Sequence, residues 1–306
     1  MRIDRAWRSV DEEKPTEHAV SAWALSHARE LSGAGDPVST GKARVELLTD
    51  PWSVWCWGFE PVRRALEARY PTIEFEHRLG GMFERLPDPE EMEFEVARFF
   101  AVVQRTTGMP IRLDVATRRR PKSTFPACIH AHAVRLVDPS KERLYLRRLR
   151  EAVYLDGLDA SDPDVAATVA EGVGVTLAEF REALGSGEAE REFAQALAAA
   201  HAEGLHAYPT YTIRTASKAA RVEGFQTLPA LLAIIETVTG RLHPARATPP
   251  AALDVVPPGE RVATREVAEA VGRSLEQTFE ELVGHERAGA LVRERHPGGD
   301  VWSKPR

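Results

Sequence analysis

Residues 43–48, Ala43-Arg44-Val45-Glu46-Leu47-Leu48, read as a short apolar strand that Asp50-Pro51 brings to an end. The period then changes. Phe59, Val62, Leu66 and Tyr70 fall on one face of a helix, and Ile73, Phe75 and His77 alternate along a second strand, Thr72–Leu79, which Gly80-Gly81 stops. Two strands joined by one helix make a unit whose strands run parallel with a right-handed crossover. From about 90 to 203 the period is helical, with helices expected at 90–106, 123–136, 139–153, 163–173, 176–185 and 188–203. Thr176 and Glu179 form a capping box at the start of one of them. Strand character returns at Tyr208–Ile213 and Ala219–Val222, and a helix over Leu228–Val238 follows. Residues 1–41 read as a charged extension with one amphipathic helix around Ala19–Leu31. Residues 241–259 contain five prolines and little periodicity, the mark of a linker. The last block, 260–306, predicts a helix over Val262–Val271, a break at Gly272, and a second helix opened by Ser274 and Gln277. Residues 289–302 then read as a hairpin.

Composition adds boundaries to this picture. The 306 residues are 43% hydrophobic and 28% charged, with a formal net charge of −6. That balance gives no electrostatic reason to expect nucleic acid or an anionic membrane as partner. No run approaches the roughly 20 apolar residues that span a bilayer. The first residues lack the apolar core of a signal peptide. Cys56 and Cys128 are the two cysteines, too few for a disulfide framework. The expectation is a cytoplasmic, reduced chain. Histidines do not occur at zinc spacing with a third ligand nearby, so no metal is expected.

The strongest chemical signal is Thr49-Asp50-Pro51-Trp52-Ser53-Val54-Trp55-Cys56-Trp57-Gly58-Phe59-Glu60-Pro61. It resembles the active-site segment of the DsbA-like family, in particular its FrnE-type branch, in which a strand ends in Asp-Pro and a Cys-x-x-Cys motif opens the first helix. Ser53 stands where the first cysteine would be. Arg78-Leu79-Gly80-Gly81, Ser123–Cys128, Leu146–Ala152 with Asp156-Gly157, and Tyr208-Pro209-Thr210 resemble further family segments in the same order. The resemblance covers about 43–240. It implies an α/β, thioredoxin-like fold over 42–240 with a large all-helical insertion at about 90–203, and a cis-proline at Tyr208-Pro209. Residues 260–306, outside it, resemble a small winged-helix-like α+β module.

In a Cys-x-x-Cys motif the first thiolate attacks and the second resolves the mixed disulfide, and a helix N-terminus favours the thiolate. A serine hydroxyl does not exchange disulfides. Three readings follow. In the first, Ser53 contacts the sulfur of a low-molecular-weight, glutathione-like thiol, as in the kappa-class glutathione transferases and chromene-carboxylate isomerases that Asp50-Pro51-Trp52-Ser53 also resembles. Cys56 is then a secondary thiol, and Trp52, Trp55, Trp57, Tyr208, Pro209 and Thr210 line the site. The second makes Cys56 a one-thiol redox centre, alone or with Cys128. The third is a non-catalytic protein that binds a partner, as in the protease-adaptor branch of the family.

Other candidates sit outside the motif. Cys128 and His132 share a helix face at i, i+4, so they could pair as thiolate and imidazole or pack independently. His130 points elsewhere, and His77 reads as a core histidine. Arg118-Arg119-Arg120-Pro121-Lys122 is a basic run that could meet an anionic thiol or lie in solvent. In the last block Glu276, Glu280, Glu281 and Glu286 make the second helix acidic, which would repel phosphate. That block is expected to serve protein interaction or homodimerisation and not DNA.

Overall fold

The computed structural model describes residues 29–31, 42–86, 89–115, 120–215 and 218–305. A five-stranded mixed sheet carries the first part of the chain. Its strands are β1 (Arg29–Leu31), β2 (Ala43–Thr49), β3 (Ile73–Leu79), β4 (Thr210–Arg214) and β5 (Ala219–Glu223), in the order β1-β5-β4-β2-β3. β2 and β3 are parallel, with Val45 opposite Phe75, and β4 runs antiparallel to both β2 and β5. Two short helices, α1 (Val54–Gly58) and α2 (Glu60–Arg69), fill the crossover between β2 and β3. The strand at Arg29–Leu31 corrects the helix expected around Ala19–Leu31: it pairs antiparallel with Ala219–Arg221 of β5, and residues 19–28 lie outside the described ones.

One face of the sheet packs on α2 and on α9 (Leu228–Thr239). Val45, Leu47, Tyr211 and Ile213 meet Phe59, Val62, Leu66, Leu231 and Ile234 in a single apolar cluster. On the opposite face Leu48 meets Ala200 and Leu205. The helical block between β3 and β4 consists of α3 (Pro89–Thr107), α4 (Phe125–Val137), α5 (Glu142–Tyr154), α6 (Pro163–Gly172), α7 (Leu177–Gly185) and α8 (Glu188–Ala202). Its core joins Phe100, Val103, Tyr145, Leu149, Phe180 and Phe193 with Trp52 and Trp57 of the motif. Local sequence sets the helix starts. Asp162 caps α6, Thr176 and Glu179 close the capping box of α7, and Thr227 caps α9.

The proline-rich stretch is not a free tether. Arg246 N–H donates to the Arg69 carbonyl at 2.7 Å, His243 is buried against Thr72 at 2.9 Å, and Ala252–Val255 forms a turn of helix, α10. Beyond it lie α11 (Thr264–Val271), α12 (Leu275–Arg287) and a three-stranded antiparallel sheet of β6 (Val262–Ala263), β8 (Gly299–Ser303) and β7 (Val292–His296), in that order. Val262-Ala263, read from sequence as the start of the helix, pairs instead with Val301-Trp302. Val267, Val271, Leu282, Leu291 and Trp302 form the core of this unit, and Ala68 of α2 packs against it. Among the described residues no helix is long and apolar enough to cross a membrane.

Candidate functional site

Asp50 is the centre from which the motif is held. It is fully buried, and Pro51 after it ends β2. Its Oδ1 accepts the Trp52 N–H at 2.7 Å, and its Oδ2 accepts the Met82 N–H and the Thr124 hydroxyl, each at 2.7 Å. One carboxylate thus ties the end of β2 to the Gly80-Gly81 turn and the start of α4. Burial pushes its pKa up, opposed by the donors from Met82, Thr124 and Trp52.

Ser53 is the N-cap of α1. Its backbone is extended (φ −76°, ψ 109°) and its Oγ accepts the Cys56 N–H at 3.3 Å. The serine is 2% exposed and Cys56 only 1%. Burial raises the Cys56 thiol above its ordinary pKa, while the Arg150 charge and the Ser53 and Thr49 hydroxyls pull it down without reversing the direction. At neutral pH Cys56 is therefore a thiol, the less reactive form.

The three tryptophans have separate surroundings. Trp57 is fully buried, donates to the Pro110 carbonyl at 2.9 Å and stacks on Tyr154 at 5.6 Å. Trp52 packs on Phe100, and its carbonyl accepts the Tyr154 hydroxyl at 2.7 Å. Trp55 is the half-buried one, set between Phe99 at 6.1 Å and Phe225 at 5.5 Å. The Tyr208–Pro209 bond is cis and leads into β4, where Thr210 is fully buried. The Tyr208 hydroxyl donates to the Gly81 carbonyl at 3.3 Å.

Cys128 and His132 share a helix but not a partner. The Cys128 thiol donates to Asp50 Oδ2 at 3.7 Å, and burial together with the Asp50 charge drives its pKa well up. His132 Nδ1 lies 3.4 Å from Glu192 Oε2, beside Phe193, and burial lowers its pKa. His130 is turned onto Phe180 instead. His77 is half-buried on β3, an edge strand, and burial and the charges of Arg150 and Arg63 bring it down to about 3. Of the basic run, Arg118 and Arg119 lie outside the described residues. Among the described residues no three of His, Cys, Asp and Glu come together as a metal site would require.

No sequence pattern announces the charges beneath α1. Arg150, 1% exposed, donates to the Thr49 hydroxyl and to Glu60 Oε1 at 2.7 Å. Glu60 also accepts from Arg63 Nη2 at 2.7 Å and Arg147 Nη1 at 3.2 Å. Burial alone would raise the Glu60 pKa, but the arginines hold it well below the usual carboxylate range. The i, i+3 and i, i+4 spacings of Glu60, Arg63 and Glu67 were visible; the meeting of α2 with α5 was not.

Residues 47–231 match the family model described as Thioredoxin, and the chain belongs to that family. Its helical block between β3 and β4 makes the fold DsbA-type. Cytosolic disulfide reductase DsbM from Pseudomonas aeruginosa has a similar structure, with a TM-score of 0.51 at 20% identity over 63% of this chain and 97% of that one. 2-Hydroxychromene-2-carboxylate isomerase gives 0.50 at 15% identity over 63% and 95%. By sequence the chain is similar to the ClpXP adapter protein SpxH of Halalkalibacterium halodurans, 24% identical over 168 residues. That match covers 51% of this chain and 54% of SpxH, so the chain spans about half the length of this curated relative.

Proposed function

We propose that this protein acts by binding a protein partner at its Ser53-Val54-Trp55-Cys56 face, in the manner of an adaptor, and does not run a dithiol cycle. One observation carries the reading. The attacking position is a serine, 2% exposed, whose oxygen caps α1, and the motif's one thiol is buried and held in its protonated form. Thiol exchange needs an accessible thiolate at the first position. Half-buried Trp55 packs with half-buried Phe99 and Phe225, an aromatic cluster suited to an apolar peptide segment. The similarity to a ClpXP adapter supports the same class. The protein works in the cytoplasm, in a lineage near the FrnE-type branch, with the C-terminal unit as a winged-helix-like interaction module.

The test is gain of exchange. Ser53→Cys restores Cys-x-x-Cys and should confer disulfide reduction on a model protein substrate, whereas the natural chain should show none above background. Equal rates for the two would overturn the reading.

A second reading keeps the site for a small thiol. It draws on the Ser53 hydroxyl at the N-terminus of α1 and on the cis Tyr208–Pro209 bond before β4, which would offer backbone to a glutathione-like tripeptide. Calorimetry with glutathione decides it: binding that Ser53→Ala abolishes supports this reading, and no heat of binding ends it.

A further inference from the structure

A continuous set of buried ions runs from the motif into the C-terminal unit. It begins with Arg150, which touches Thr49 beneath Cys56 and passes to Glu60. Glu60 is shared with Arg147 of the same helix, α5. Arg147 reaches out of the thioredoxin domain altogether: Nη1 donates to Glu266 Oε1 at 2.8 Å and Nη2 to Glu266 Oε2 at 2.9 Å. Glu266 belongs to α11, is fully buried, and also accepts from Arg64 Nε at 3.0 Å and from the Ala263 N–H at 2.8 Å. The Arg147 guanidinium meanwhile lies over the Trp57 ring, 4.7 Å from its centre, one residue beyond Cys56.

We propose that Glu266 is a positioning residue for the motif: with this carboxylate, set beside the Arg261 carbonyl that also accepts from Arg147 Nη2, the C-terminal unit fixes Arg147, and with it Glu60, Arg150 and the Trp57–Cys56 turn of α1. The physical reason is charge balance in a place without water. A buried guanidinium that loses its counter-charge must find another or draw in solvent. Arg147 retains Glu151 at 2.9 Å and Glu60 at 3.2 Å as alternatives. Turning further onto Glu60 sets Arg147 against Arg150 for the same carboxylate, and it takes the guanidinium off the Trp57 face. The last unit of the chain is thereby a structural part of the motif's support, and its Ala263 and Val301 share the apolar cluster of Trp52 and Trp57. This holds whether the motif receives a protein or a small thiol.

Glu260 provides the control. It lies at the same junction and pairs with Arg64 Nη2 at 2.7 Å, yet it forms no hydrogen bond to Arg147 among those described. Amide hydrogen exchange of the full chain should therefore separate positioning from docking. Glu266→Gln is expected to speed exchange of the Val54–Gly58 amides at least tenfold while the helices of Pro163–Ala202 keep their protection. Glu260→Gln should leave Val54–Gly58 unchanged. Unchanged exchange at the motif in Glu266→Gln overturns the proposal, as does an equal rise in Glu260→Gln or a uniform rise throughout the chain. Should Glu266→Gln fail to fold, Glu266→Asp, with its carboxylate drawn back by one methylene, is read against the same outcomes.

Discussion

The Cys128 thiol donates to Asp50 Oδ2 at 3.7 Å, so the second cysteine is held by the aspartate that opens the motif and not by the motif's own cysteine. Each sulfur is buried and unbridged, and each is kept protonated by its surroundings. In the folded protein both should react with a disulfide reagent far more slowly than in denaturant, where two thiols per chain should titrate. Mass spectrometry after mild oxidation should find no Cys56–Cys128 bridge. An intramolecular loss of two hydrogens in the native protein would contradict this placement.

Ser53→Ala removes the side-chain acceptor of the Cys56 N–H at the start of a short helix. Loss of an N-cap of this type costs about 1 kcal/mol, so urea unfolding should show a loss of that order with an unchanged m-value. A larger loss would mean that the hydroxyl has a partner beyond its capping role.

His130 sets a pH dependence. Burial brings its pKa down to about 4, against an ordinary 6.5. The unfolded chain takes up the proton first as pH falls, so the stabilisation is complete above pH 6.5 and is lost progressively toward pH 4. Its full size is on the order of 3 kcal/mol, taking about 1.4 kcal/mol per pH unit. His130→Leu should flatten the stability profile between pH 6.5 and 4; a profile parallel to that of the natural chain would refute the assignment.

Gly81 has a positive φ of 61°, and a Cβ there would come 2.6 Å from Phe193 and 2.9 Å from Phe125. Strain and overpacking act together at this position, so Gly81→Ala should destabilise by about 2 kcal/mol or more. Thermal melting of the variant measures it.

The sequence made much of this fold legible because its signals are local. Thr176 with Glu179 and Ser274 with Gln277 mark helix starts within four residues, and both capping boxes are present. Asp50-Pro51 and Gly80-Gly81 end β2 and β3, and the helices from 123 to 203 appear within three residues of their expected bounds. The misses concern distant partners. Arg29–Leu31 becomes a strand because β5 offers an open edge, which no feature of three residues announces. Nothing local separates the three tryptophans, yet the helical insertion buries Trp52 and Trp57 and leaves Trp55 half-exposed. Arg147 carries no sign of its own that it will meet a glutamate 119 positions later.

The pairing of β1 with β5 has a practical consequence for anyone who expresses parts of this chain. A fragment begun at residue 42, where the sequence alone would place the domain start, would leave the backbone donors and acceptors of Ala219–Arg221 bare along β5. Such an edge is a template for strands from neighbouring molecules. Fragments that keep Arg29–Leu31 should stay dispersed in solution where shorter ones associate.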